Sequence, residues 1–126
     1  MDQAKIWAAP VGRLLIAIIF IVAGAGKLTA IGGTQQYMEA YGIPSALVYP
    51  TIALELLGGI AIILGWQTRI IALALAAFTL VAALIFHNNL GDQMQQIMFM
   101  KNLAITGGLL FLVAFGAGRL SIDSRS

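Results

Sequence analysis

The chain has 126 residues, 60% hydrophobic and only 10% charged, with a mean hydropathy of +0.95, which lies outside the range of a soluble domain. Seven Lys and Arg against five Asp and Glu leave a net charge of +2, but the basic residues are scattered at helix ends, so a nucleic-acid partner is not indicated. There is no cysteine and a single histidine, which excludes disulfides, CxxC redox chemistry, a Cys nucleophile and any thiolate or multi-His metal centre.

Four stretches could each cross a bilayer, for which about 20 apolar residues in helical form are needed. The first, 7–26, is broken only by Arg13. The second, 46–66, carries Glu55 near its middle; the third, 70–86, has no charge; the fourth, 97–118, carries only Lys101 and Asn102. The expectation is an all-α membrane protein, a four-transmembrane-helix antiparallel bundle forming one domain over 1–126. Its helices are placed at about 7–28, 46–66, 69–87 and 97–118. Connectors are too short for a soluble domain.

The first stretch has a second reading. Lys5, Arg13 and Ala23-Gly24-Ala25 resemble a signal peptide over residues 1–25 with an A-x-A cleavage site. The length of 7–26 favours a retained helix instead. Between the first two spans, Thr34 to Tyr41 precede Gly42 and Pro44, which look like a helix stop. Tyr37, Met38 and Tyr41 share one face there, as expected for a short outer interfacial helix or an ordinary capped loop helix. The connector 87–96 is turn-rich, with Asn88-Asn89 and Gly91-Asp92.

Orientation follows the positive charges near span ends. Lys5, Arg13, Arg69, Arg119 and Arg125 fall on one side, Lys27 and Lys101 on the other. This places both termini in the cytoplasm, with Trp7 and Trp66 at the inner interface. Lys27, Glu55, His87, Lys101 and Asn102 then reach the outer half of the bundle from four helices, and Arg13 alone lies in the inner half. Glu55 is about 13 Å deep at 1.5 Å per residue. At that depth its short stem cannot reach water, so it must pair, line a wet cavity or stay protonated.

Each charge also has a plainer explanation. Lys27 can snorkel, His87 can sit at a wet boundary without binding anything, and Arg13 can reach lipid headgroups or cap a bundle contact. Glu55 and Lys101 can form a purely structural pair. Stripes of small residues accompany the charges: Arg13, Ala17, Phe20, Gly24 and Lys27; Thr51, Glu55, Gly58, Gly59 and Ile62; Lys101, Ile105, Gly108 and Leu112. They predict an inward-facing site in which Glu55 and Lys101 approach each other, with Asn102 or Lys27 nearby.

These residues carry a resemblance to the DoxX family over nearly the whole chain. It includes Gly12-Arg13, Ala23-Gly24-Ala25-Gly26-Lys27-Leu28, Tyr41-Gly42-Ile43-Pro44, Leu54-Glu55-Leu56-Leu57-Gly58-Gly59 with Leu64-Gly65, and Lys101-Asn102-Leu103 with Gly107-Gly108. Gly116-Ala117-Gly118-Arg119-Leu120-Ser121-Ile122-Asp123 resembles the family's ending. The resemblance implies a four-helix protein of the bacterial inner membrane, related to proteins linked to quinone-dependent oxidoreduction. It also implies that Arg13, Lys27, Glu55 and Lys101-Asn102 are the family's polar positions.

Two functions are expected from this. One is a subunit or accessory of a quinone-linked oxidoreductase, not a self-sufficient enzyme, with quinone held non-covalently in the outer-half pocket. Glu55 would be the proton-transferring group, and Lys27, His87, Lys101 and Asn102 the binding groups. The alternative is a non-catalytic membrane scaffold or assembly protein whose buried charges fix helix packing. Expected partners are the lipid bilayer and, where the quinone is not itself the electron source, a redox protein that supplies electrons; either reading leaves room for a homo-oligomer.

Overall fold

A computed structural model describes residues 2–87, 89–118 and 120–123, with side chains from Ile6 onward. Arg119, Arg125 and the side chain of Lys5, three of the charges used for orientation, lie outside the described residues. The helices are α1 (Asp2–Thr29), α2 (Ile31–Ala40), α3 (Val48–Leu64), α4 (Thr68–Phe86) and α5 (Gln93–Phe115), and a 3-10 turn, Ser45–Leu47, leads into α3. Among the described residues, four segments are long and apolar enough to cross a membrane: Ile6–Thr29, Ser45–Leu64, Thr68–Phe86 and Gln93–Phe115. The chain is therefore an all-helical integral membrane protein.

Apolar side chains gain little from leaving lipid for protein, so such a bundle is held by close packing and by polar contacts. The helices associate as two tight pairs, α1 with α3 and α4 with α5. Gly24 and Gly59 set the first pair. A Cβ on Gly24 would lie 2.8 Å from Leu56 Cγ, and one on Gly59 would lie 2.6 Å from Ile21 Cγ1. The two pairs meet in the half that carries the termini, around Ala17, Phe20, Ile62, Ala72, Leu75, Ala76 and Leu109.

Helix ends follow local chemistry. Gly65 ends α3 in the left-handed conformation (φ 69°), and Trp66 N–H returns to the Ala61 carbonyl at 2.9 Å. No other residue type fits there, because a Cβ would also collide with Ser121 and with the Arg13 guanidinium. Helix α5 starts earlier than its hydropathy suggests. Asp92 caps it by accepting from Gln95 N–H, and the polar run Gln93, Gln95 and Gln96 is its first turn.

Helix α2 closes the end opposite the termini. Its Met38 is buried with Val48 and Ile52, against Ile43 and Phe86. Tyr37 stacks on Phe86 at 5.3 Å between ring centres, and Tyr41 meets the same ring edge-on at 5.0 Å. The tyrosine face expected of the short helix is the face that docks on the tip of α4.

Candidate functional site

At the termini end, Arg13 is the largest fully buried side chain among the described residues, 1% exposed. Its Nη1 donates to the carbonyls of Ile62 (3.2 Å) and Ile63 (2.9 Å), and its Nη2 donates to that of Leu120. The first two belong to the last turn of α3, where the helix dipole favours a cation; the Ile62 carbonyl also accepts from Gly65 N–H at 3.1 Å. Arg13 therefore caps a bundle contact. The lipid-facing alternative is wrong for it, because a side chain bonded to three inward carbonyls cannot also reach the headgroups.

The chain's ending completes this end. Ile122 N–H and Asp123 N–H donate to the carbonyls of Leu64 and Gly65 at 3.0 and 2.9 Å. The Asp123 carboxylate accepts from the N–H groups of Gln67 and Thr68, both at 2.8 Å, and so caps α4 from more than fifty residues away. Burial alone would raise the Asp123 carboxyl, but the bonds from Thr68 and Gln67 and the charge of Arg13 hold it below the usual range. A shallow groove of about 430 Å³ beside it is lined by Gln67, Arg69, Gly116 and Asp123, among others.

In the opposite half the two helix pairs separate and leave a cavity of about 720 Å³. Most of its wall is apolar. The polar groups lining it include Lys27 from α1, Glu55 from α3, Asn102 from α5, and His87 where α4 ends. Four of the five groups expected in this half are thus brought to one cavity.

The expected pair inside that group is wrong. Glu55, 4% exposed, meets Lys27, with Nζ 2.8 Å from Oε1. Lys101 is exposed and does not line the cavity. The reason is one of angle, since residues adjacent on a helix point about 100° apart. The buried stripe of α5 runs through Thr106 and Leu109, half-burying Asn102 and turning Lys101 outward.

The Lys27–Glu55 contact is an ion pair by distance, yet Oε1 is buried without an aligned hydrogen bond. Across the cavity, Asn102 Nδ2 makes only a 3.5 Å contact with the Thr79 carbonyl, at the limit of a hydrogen bond. Thr79 and Thr106 spend their hydroxyls within their own helices, donating to Leu75 and Asn102 carbonyls at 2.7 and 2.8 Å. Burial pushes the His87 imidazole below its ordinary value, which favours the neutral ring at the cavity rim.

Sequence reasoning missed several lining groups. Thr34 and Tyr37 of α2 and Thr51 of α3 also reach the cavity. Thr51 was legible in the Glu55 stripe, and Tyr37 in the tyrosine spacing of α2. Asp123 had no signal except its place in the chain's ending.

The family model described as DoxX matches residues 8–88. Inner membrane protein YqjF of Escherichia coli K12 is 50% identical over 113 residues, covering 90% of this chain and 87% of that protein. Inner membrane protein YphA of the same organism is 35% identical over 122 residues, covering 91% of this chain and 87% of its own length. "Putative oxidoreductase CatD" of Bacillus subtilis 168 is 40% identical over 73 residues, 58% of this chain and 54% of its own. No solved structure matches significantly.

Proposed function

The chain belongs to the DoxX family, and from that premise we propose that it is a subunit or accessory of a quinone-linked oxidoreductase system in the bacterial inner membrane. Its cavity holds the quinone headgroup. The observation that carries this reading is the buried Lys27–Glu55 pair facing a largely apolar cavity of about 720 Å³, within the size range of small-molecule sites. The oxidoreductase in the name of the Bacillus relative supports the same class.

The residues fit such a group. Lys27 and Asn102 offer N–H groups to the carbonyl oxygens of a quinone, and the Glu55 carboxylate can accept from the hydroxyl of the reduced quinol. A bound quinone would supply redox chemistry in which electrons and protons travel together. Glu55 takes or returns the proton, and Lys27 stabilises its ionised form. His87, which lines the cavity where α4 ends, passes that proton to the wet side in this reading. The Tyr37, Tyr41 and Phe86 rings limit water entry at this end. Electrons come from a partner protein, and both termini face the cytoplasm. A reporter fused after Ser126 reads the last point directly, and periplasmic activity would reverse it.

The scaffold reading draws on Arg13, whose bonds all lie within the fold, but it assigns no role to the cavity. Glu55→Gln separates the two, because the amide keeps the shape and cannot titrate. Purified protein carrying it should stay folded while losing proton-coupled, quinone-dependent activity in membranes. Unchanged activity would leave only the scaffold.

A further inference from the structure

We propose that the cavity's ligand is a long-tailed amphiphile that enters sideways from the bilayer, between α1 and α5, and leaves its tail in that seam. This deepens the cavity assignment above and rests on it. The route through α2 is covered by Met38 and by the ring cluster of Tyr37, Tyr41 and Phe86. The α3–α4 seam is the competing opening: it is packed at two heights, and between them Val81, 51% exposed, lines the cavity. Gly58 lies against Leu75 near the hairpin, and Val48 is fully buried in the cluster that includes Phe86.

The α1–α5 seam is held at one height only. These helices touch at few positions, and a Cβ on Gly108 would already lie 3.0 Å from Ile16 Cδ1. Above that contact, Ile19, Ala23 and Lys27 from α1 and Ile105, Asn102 and Met98 from α5 all line the cavity. Ile19 and Met98 are each 38% exposed. The unsealed stretch from Ile19 to Lys27 is about 12 Å of helix at 1.5 Å per residue. It lies within the apolar spans, so its outer face is acyl chain rather than water. A polar headgroup between Lys27 and Asn102 with its tail in this seam satisfies both the polar wall and the opening.

The test uses the full chain in lipid vesicles and two probes, a ubiquinone with a long isoprenoid tail and a short-tailed ubiquinone analogue. Ile19→Trp and Met98→Trp narrow the α1–α5 seam, Val81→Trp narrows α3–α4, and Leu110→Trp is a lipid-facing control on α5. The seam variants should load the long-tailed probe roughly tenfold more slowly, the range over which association varies among variants of one site. Because Ile19 and Met98 also line the cavity, the deciding readout is the ratio of loading rates: the short-tailed probe should be slowed far less than the long-tailed one. Leu110→Trp should change neither. Slowing by Val81→Trp, or by no variant, overturns the route while leaving the cavity assignment intact. Failure of the wild-type protein to bind either probe overturns both.

Discussion

The two ends of this bundle handle buried charge in different ways. At the termini end the Arg13 guanidinium donates to three carbonyls, two from α3 and one from the chain's ending, and Asp123 caps α4 with both carboxylate oxygens. These charges take the place of missing helix partners and sew four segments together. In the opposite half, among the described residues, Lys27 and Glu55 form an ion pair with each other, and both line the cavity. A polar group whose hydrogen bonds end within the fold is architecture. One whose capacity is turned toward a cavity is available to a ligand.

Substitutions should separate the two ends, and the largest effect belongs to Arg13. Arg13→Met removes three charged hydrogen bonds worth about 1.5–3 kcal/mol each, so unfolding in detergent should be easier by upwards of about 4 kcal/mol. Arg13→Lys should rescue little, because a single ammonium cannot reproduce the guanidinium fork. Wild-type stability in either variant would break the comparison.

Gly65→Ala should come next. The left-handed backbone costs a side chain about 1–2 kcal/mol, and the new methyl must also displace Ser121. Thermal melts would show it, together with faster proteolysis of the chain's ending.

Asp123→Ala should cost about 1 kcal/mol, as for other lost helix caps. Its folded carboxyl lies below the ordinary value, so its contribution is complete above about pH 4 and fades as pH falls through the folded value. The difference between wild type and Asp123→Ala should therefore shrink in acid. A constant difference would mean that the carboxylate charge is not what holds α4.

The smallest effect is expected at Lys101. Lys101→Ala should change stability by no more than about 0.5 kcal/mol and leave ligand binding intact, as for other exposed sites. A large loss of binding there would return Lys101 to the site.

The fold was legible because a membrane span writes its length and apolarity directly into the sequence, and all four spans did so. The inward stripe of α1 was legible as well: Arg13, Ala17, Phe20 and Gly24 are all buried. That Glu55 needed a partner could be read from its depth, but which lysine answered it could not. Lys27 and Lys101 approach from the same side, and the sequence does not state which helix lies beside α3. Close contact at Gly24 and Gly59 makes that neighbour α1. The role of Asp123 was hidden for a related reason, since a cap supplied from across the fold leaves no local pattern at the helix it caps.

The central claim is that Lys27 and Glu55 serve a ligand, not the fold. Replacing a buried ion pair by apolar side chains often leaves stability unchanged or improved. The double variant Lys27→Met with Glu55→Leu should therefore melt within about 1 kcal/mol of wild type. The deciding measurement is binding of a short-tailed ubiquinone analogue to both purified proteins. Binding by wild type and its loss in the folded double variant is the predicted result; equal binding by the two would contradict the account.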